Sequence, residues 1–261
     1  MTGADDLVLR EQTGGVRTLT LNRPEARNAL SLAMLHALQG ELTAADADRS
    51  VRVVVLAGNG PAFSAGHDLR EIGGDDDPER HRELFETCSD VMVQIAELSQ
   101  PVIASVAGVA TAAGCQLVAT CDLAVAGRSA RFATPGVDIG LFCSTPMVAV
   151  TRAIAPKHAM ELLLTGELVD AETAWRMGLI NRMVDDEDLA EATMSLAEKV
   201  ASKSAAVVAA GKATYRRQLD RSLADAYGIA STAMVDGLAH PDAKEGIGAF
   251  LDKRPPNWSE S

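Results

Sequence analysis

The chain has 261 residues, 47% of them hydrophobic and 23% charged, with a formal net charge of −12 and a pI near 4.8. That length suits one large α/β domain or a core with a helical appendage, and the acidic balance leaves no basic face for nucleic-acid phosphates. Four cysteines lack C-x-x-C or zinc spacing, five histidines form no paired motif, and Met1 to Asp6 carries no secretory signal, which predicts reduced thiols, no metal and a cytoplasmic location.

Residues 7–10 and 16–22 alternate about Gly14-Gly15, the pattern of a β-hairpin. A helix is expected from Ser31, which can cap it, because Leu32, Leu35, Leu38 and Leu42 recur at helical spacing. Residues 51–56 form a continuous apolar strand, followed by a loop over 59–69. Gly58 and Gly60 hint at a dinucleotide turn, but Phe63 stands where its third glycine belongs and no Walker lysine is present. Asp75-Asp76-Asp77-Pro78 reads as a solvated surface loop, and 79–98 as an amphipathic helix with Leu84, Val91, Ile95 and Leu98 inward.

Residues 100–120 contain no charged side chain. Their length would admit a membrane span, but a proline, two glycines and a scarcity of Leu and Ile argue against one. The stretch divides into a β-branched run at 102–106 and a small-residue run at 112–119, a strand leading into a helix. Gly108 and Gly114 mark sharp turns or close approaches. At the helix start the N–H groups near Ala113 and Gly114 have no carbonyl partner, and such donors stabilise an oxyanion. A tightly packed strand–turn–helix without chemistry fits this stretch equally well. Short strands follow at 122–126 and 130–132, then a loop over 134–141. From Thr145 onward the pattern is helical, over 145–154, 157–164, 171–177, 189–203, 205–219, 222–238 and 241–253. The strand-bearing part could hold successive β-β-α turns of a spiral.

Several motifs in this order resemble the crotonase (enoyl-CoA hydratase/isomerase) superfamily over nearly the whole chain: Leu21-Asn-Arg-Pro-Glu-Ala-Arg-Asn-Ala-Leu30, Phe63-Ser-Ala-Gly-His-Asp-Leu69, Gly108 through Ala113-Gly114-Cys115-Gln116, Cys121-Asp122, Leu164-Thr165-Gly166, Ala171-Glu172 and Gly178-Leu179-Ile180. The Ser-Gly-His-Asp-like phrase, Ala-Thr-Ala-Ala-Gly-Cys-Gln and Gly-Leu-Phe-Cys-Ser-Thr-Pro resemble one branch of it in particular. The resemblance implies an α/β fold: a crotonase (ClpP-like) spiral of β-β-α units over residues 1–200, then a C-terminal helical region over 201–261 that completes the site and a homotrimer or dimer of trimers. It implies an acyl-CoA thioester as substrate, with no tightly bound cofactor and no nucleic-acid or membrane partner. The thioester oxygen would accept from the backbone N–H of His67 and of Ala113. Around it the resemblance places Arg23, Arg27, Ala65, Asp68, Leu69, Arg70, Gly114, Pro135, Gly136, Leu141 and Lys253, with Arg23, Arg27 and Lys253 or Arg254 facing the CoA phosphates and Lys253 or Arg254 coming from a neighbouring subunit. Ordinary surface charge would equally explain those cations, and the His67 imidazole reads as a pocket-rim group without a catalytic role.

Hydratases of the family use two glutamates to hold and activate water, and these positions fall on Gln116 and Gly136. Glutamine can orient water but accepts no proton at neutral pH, and glycine supplies nothing. The aspartate of related isomerases and dehalogenases falls on Ser144. One carboxylate remains: in an extended segment Asp138 would share the face of Gly136, so it is a tentative base, though a turn-capping role is favoured. Cys143 is a weak candidate nucleophile. The expectation is therefore a hydratase-like lyase by family that has lost efficient hydration. The alternatives are a non-catalytic acyl-CoA-binding or assembly protein, or a weak isomerase or thioesterase. A serine protease is disfavoured because no G-x-S-x-G elbow is present and Ser64 has no base partner.

Overall fold

The computed structural model describes residues 6–74 and 77–259. Strands β1 (Val8–Thr13) and β2 (Val16–Leu21) form the expected hairpin. Helix α1 (Leu32–Asp46) starts at Ser31, whose Oγ accepts from the Met34 amide at 3.2 Å. Strand β3 (Val53–Gly58) leads to two elements that the 59–69 loop reading did not contain, β4 (Ala62–Ser64) and the short helix α2 (Leu69–Gly73). Asp75 and Asp76 lie outside the described residues, and Asp77 is the N-cap of α3 (Pro78–Glu97), accepting from the Glu79 amide at 3.0 Å. Then come β5 (Val102–Val106), β6 (Val109–Thr111), α4 (Ala113–Thr120), β7 (Leu123–Gly127) and β8 (Arg131–Ala133). Residues Pro135–Ile139 form a 3₁₀ turn.

The remainder carries α5 (Ser144–Ala153), α6 (Pro156–Thr165), β9 (Val169–Asp170), α7 (Ala171–Met177), β10 (Arg182–Val184), α8 (Leu189–Ala201), α9 (Ala205–Gln218), α10 (Leu223–Ala239) and α11 (Pro241–Leu251). The helices match their predicted positions closely. The all-helical reading missed β9 and β10, whose two and three residues are too few to show a period of their own.

Two sheets organise the chain, one ordered β1-β2-β3-β5-β7-β10 and the other β4-β6-β8-β9. Each successive unit gives one strand to each sheet (β3 and β4, β5 and β6, β7 and β8), with β3, β5 and β7 paired in parallel in one and β4, β6 and β8 in the other. This is the spiral anticipated from the sequence. The central strands β3, β5 and β7 of the six-stranded sheet are buried on both faces, which is why they read as unbroken apolar runs, whereas β1 lies exposed at its edge. Val54 and Leu56 pack toward α1, α3 and α4 in the larger core, whereas Val53, Val55 and Ile103 alternate to the opposite face under Leu189, Leu196 and Ala197 of α8.

Beyond α8 the chain leaves this core. Helix α9 is fastened to it by Lys212, whose Nζ donates to the carbonyls of Ile95 (3.1 Å) and Gln100 (3.0 Å) and pairs with Asp122 Oδ2 at 2.7 Å. Helix α10 has no buried residue and exposes Leu223, Tyr227, Met234, Val235 and Leu238. At the base of α11, Ser204 Oγ donates to Asp242 Oδ2 at 2.5 Å, and the Trp258 indole donates to the Ser202 carbonyl at 2.9 Å. No described helix is long and apolar enough to cross a membrane.

Candidate active site

Parallel pairing of β4 with β6 puts their carboxyl ends side by side, so the bend after each strand emerges at one edge of the smaller sheet. The bend after β4 is held from behind by the Leu21–Leu30 motif. Asn28 is fully buried in a left-handed conformation (φ 53°), a conformation asparagine tolerates better than most residues. Its amide donates to the carbonyls of Asn59 and Ala62, and its oxygen accepts from the Arg23 N–H. The Ala65 amide donates to the Arg27 carbonyl at 3.0 Å, and Leu30 bridges the bend by donating to Gly66 (2.7 Å) and accepting from Asp68 (3.3 Å). This ladder passes over His67, whose amide has no partner among the described residues. Sequence reasoning assigned the motif to ligand contact and missed Asn28, its structural hub. The signal was an asparagine where the chain turns without glycine.

The second bend leaves β6 through Ala112, held at φ 49°, ψ −118°. That conformation is strained for a residue with a Cβ. It swings the chain so that Ala113 opens α4 with its N–H beyond the reach of any intrahelical carbonyl. The bends touch through reciprocal glycines. A Cβ on Gly66 would lie 2.8 Å from Ala112 Cβ and 3.1 Å from the Ala113 nitrogen, while one on Gly114 would overlap the Ser64 carbonyl and lie 2.9 Å from Ser64 Cβ. The His67 and Ala113 amides, which have no partner among the described residues, thus belong to two bends that touch at Gly66.

The side chains around them are held neutral or already paired. The His67 ring meets Phe85 edge-on with centroids 5.0 Å apart, and its buried Nε2 has no partner among the described residues. Burial pushes its pKa down to about 4. Gln116 is 3% exposed, and its Oε1 is likewise buried and unpartnered. Burial opposes the charge of Asp68, but the Arg70 amide and the Arg23 guanidinium (2.7 Å) outweigh it and hold the carboxyl below its usual range. Arg23 is thus drawn into an ion pair. Arg27 is exposed and has no ion pair among the described residues, and Leu69 and Arg70 are exposed on α2. Lys253 lies elsewhere in the protomer: its end of the chain folds against Ser202, beside the contact of Arg52 with Lys203, at the opposite end of β3 from the bends.

Beyond the bends, Pro135, Gly136 and Leu141 belong to the 3₁₀ turn and its exit, where the Leu141 amide donates to the Gly136 carbonyl at 2.9 Å. The expectation that Asp138 shares a face with Gly136 does not hold. It assumed an extended segment, and a 3₁₀ turn advances three residues per turn, so residues two apart diverge. Gly136 faces inward, where a Cβ would collide with the Leu141 carbonyl and lie 2.8 Å from Cys143 Sγ. Asp138 is exposed, and its Oδ2 lies 2.9 Å from where a Cβ on Gly166 would be. The expected cap of the next turn does not fall on Asp138 either, because the residue at the start of α5 is Cys143. The Cys143 thiol is raised by burial against an opposing pull from the Gly136 amide, and burial pushes Cys115 up to about 12. Ser144 Oγ turns back to the Phe142 carbonyl. Among the described residues no cluster of His, Cys, Asp or Glu is placed to hold a metal.

From Gln116 a groove of about 810 Å³ runs along α4, walled by Met92 and Ala96 of α3, Val148 and Arg152 of α5, and Tyr215 and Arg216 of α9.

Comparison with known proteins places these features. The enoyl-CoA hydratase/isomerase family profile matches residues 11–261. A rat protein, enoyl-CoA hydratase domain-containing protein 3, mitochondrial, is 49% identical over 253 residues, spanning 97% of this chain and 84% of its own. The crystal structure of the human protein of that name superposes with a TM-score of 0.94 at 48% identity, covering 97% of this chain and 100% of that one. An enoyl-CoA hydratase from Mycobacterium smegmatis superposes with a TM-score of 0.94 at 50% identity, covering 97% and 98%. The fold is thus the crotonase fold, and the branch resembled by the phrases around Gln116 and Cys143 is the one bearing the rat and human name. That name corrects the cytoplasmic expectation, since five relatives at 46–50% identity are called mitochondrial. Reduced thiols exclude oxidising compartments only; they do not distinguish one reducing compartment from another.

Proposed function

Because this chain belongs to the enoyl-CoA hydratase/isomerase family, we propose that its two unengaged amides, on His67 and Ala113, receive the oxygen of an acyl-CoA thioester, in a site that no longer hydrates efficiently. The observation that supports this reading is the contact of Gly66, next to His67, with Ala112 and the Ala113 nitrogen, neither amide having an acceptor among the described residues. Two preorganised amides favour an oxyanion over a neutral carbonyl. The α4 dipole, positive at Ala113, adds to them.

The loss of hydration follows from the two positions where hydratases of the family carry glutamates. Gln116 cannot take a proton from water at neutral pH, and its Oε1 is buried. Gly136 is closed over by Leu141 and Cys143, so the second acid is not replaced by a solvent-filled gap that water could use. Each missing acid–base group is worth about 10²–10⁴ in rate. This favours the second reading as well, a thioester-binding protein without chemistry. Arg27, exposed and without an ion pair among the described residues, is a cation that could meet a CoA phosphate. Lys253 could do so only from a neighbouring copy, and the apolar residues exposed on α10 give residues 201–261 a surface for assembling such copies around the core of residues 1–200.

Calorimetry with crotonyl-CoA tests binding, and loss of the conjugated thioester absorbance tests hydration. The expected result is binding, with turnover at least about a hundredfold below an ordinary ~10 s⁻¹. Turnover within about tenfold of that value would overturn the deficient reading. The carbonyl stretch of bound thioester reports the amides directly: it should shift to lower frequency on binding, and Ala113→Pro, at a helix position where proline is tolerated, should remove most of the shift. An unshifted carbonyl in the unsubstituted protein would overturn the two-amide site.

A further inference from the structure

The bends lie beyond the carboxyl end of β3, where Leu21 pairs with Gly58 and Asn28 donates to the Asn59 carbonyl. At the other end of that strand, a cavity of about 190 Å³ sits between the α1–β3 connection and the junction of α8 with α9. It is smaller than the ~300–1,000 Å³ of sites for drug-sized ligands. Three cations line it, Arg49, Arg52 and Lys203, against one carboxylate, Asp46. That carboxylate is already engaged, its Oδ1 accepting from the Ser99 hydroxyl at 2.7 Å and the Ser99 amide at 3.3 Å. Arg49 and Lys203 are exposed, and their side chains have no hydrogen bond or ion pair among the described residues. Ala205 and Ala206 complete the basic side. They open α9, where the first N–H groups have no carbonyl within the helix and the dipole is positive. In a chain of net charge −12, this corner is locally positive.

Two buried polar atoms of the cavity residues have no partner among the described residues. Gln100 is 8% exposed, and its Nε2 donates to the carbonyls of Ala45 (3.0 Å) and Val51 (3.4 Å). Only the amide nitrogen can make those bonds, which fixes the orientation of the group and leaves Oε1 without a donor. Arg52 donates from Nη2 to the Lys203 carbonyl at 2.9 Å, yet its Nε has no acceptor. Buried groups left unmet in this way are costly. A ligand that satisfies both must accept from a guanidinium and donate to a carboxamide oxygen. Phosphate does both: at neutral pH it keeps at least one proton, and its other oxygens take charge-assisted bonds. Sulfate has the same shape and charge but no proton to give.

We propose that this cavity binds inorganic phosphate, with Arg49, Arg52, Lys203 and the start of α9 around its charged oxygens and Gln100 Oε1 accepting from its hydroxyl. The site is separate from the thioester site and does not depend on that reading. Arg49 and Arg52 belong to the α1–β3 connection, and Lys203 and Ala205 to the α8–α9 junction, so bound phosphate bridges the core and the C-terminal helices.

Calorimetry on the full-length protein with sodium phosphate and sodium sulfate at matched ionic strength tests the proposal. Phosphate should bind saturably and at least about tenfold more tightly than sulfate, the worth of one hydrogen bond. Arg49→Gln and Lys203→Gln should each weaken phosphate about two- to fivefold. Gln100→Met should bring phosphate and sulfate within about twofold of each other. Arg49 and Lys203 are exposed, so their substitutions keep the test open even if Gln100→Met, which also loses the bonds to Ala45 and Val51, does not fold. Absence of saturable phosphate binding, equal affinity for sulfate, or binding that neither Arg49→Gln nor Lys203→Gln weakens overturns the inference.

Discussion

Substituting Gly66 by alanine tests whether the two bends must touch. Gly66 sits at φ +92°, and the added methyl would lie 2.8 Å from Ala112 Cβ, 2.9 Å from the Thr111 carbonyl oxygen and 3.1 Å from the Ala113 nitrogen. None of these is the free end of a flexible side chain, so relief requires the bends to separate. The unfavourable φ costs about 1–2 kcal/mol, and overpacking against fixed backbone adds about 1–3 kcal/mol, giving an expected loss of about 2–5 kcal/mol. Gly14→Ala is the matched control. Its φ is +55°, but nothing lies within 4 Å of the new Cβ, so it should cost about 1 kcal/mol from φ alone. Urea unfolding of both variants gives the stability difference, and calorimetry with crotonyl-CoA below the transition gives the effect on the site. Gly66→Ala should weaken thioester binding by at least about tenfold, as a displaced Ala113 amide loses about one charge-assisted bond. If Gly66→Ala were as stable as Gly14→Ala and bound thioester normally, the bends would not need to meet, and the reasoning behind the site would fail.

Further predictions follow from other parts of the molecule. Because burial lowers His67 to about 4, the unfolded chain binds a proton there that the folded chain refuses. His67 therefore costs nothing above pH about 6.5 and destabilises the fold progressively as pH falls toward 4, by up to about 3 kcal/mol. Unfolding free energies from pH 7 to 4 should show a shallower decline in His67→Phe, and an identical decline would refute the assignment. Gly136→Glu restores the family's second glutamate in sequence but not in space, since its Cβ collides with the Leu141 carbonyl. It should lose about 1–3 kcal/mol of stability and gain no crotonyl-CoA hydration, and a tenfold rise in turnover would contradict this. Lys212→Met leaves two carbonyls and the Asp122 carboxylate without their shared cation, at side-chain exposures of 8% for Lys212 and 20% for Asp122. The cost should be about 3–5 kcal/mol, with faster amide exchange across α9, and exchange unchanged there would show that Lys212 does not hold the helix.

How far the sequence could be read depended on whether each feature was local. Ser31 at the start of α1 and the leucines that follow it are decided within a few residues by capping and side-chain period. The unbroken apolar runs of β3 and β5 report burial on both faces. The motif order carried the family, and the glycines at 108 and 114 marked where backbone is approached, Gly108 by the Pro61 carbonyl and Gly114 by that of Ser64. Reading failed where short elements or conformations depend on distant partners. Strand β10 exists because β7 offers it an edge, and Asp138 parts from Gly136 because the chain coils into a 3₁₀ turn where an extended strand was expected.

The same division runs through the site. Sequence by itself determined that Gln116 and Gly136 carry no acid, because side-chain chemistry needs no fold to be known. Only the tertiary structure decided that Gly136 is sealed by Leu141 and Cys143, that Arg23 is spent on Asp68, and that Gly66 meets Ala112. Those adjacencies come from the parallel pairing of β4 with β6 and the packing of one turn of the spiral on the next. Contacts between residues far apart in the chain are set by how layers stack, and no local pattern of side chains records that.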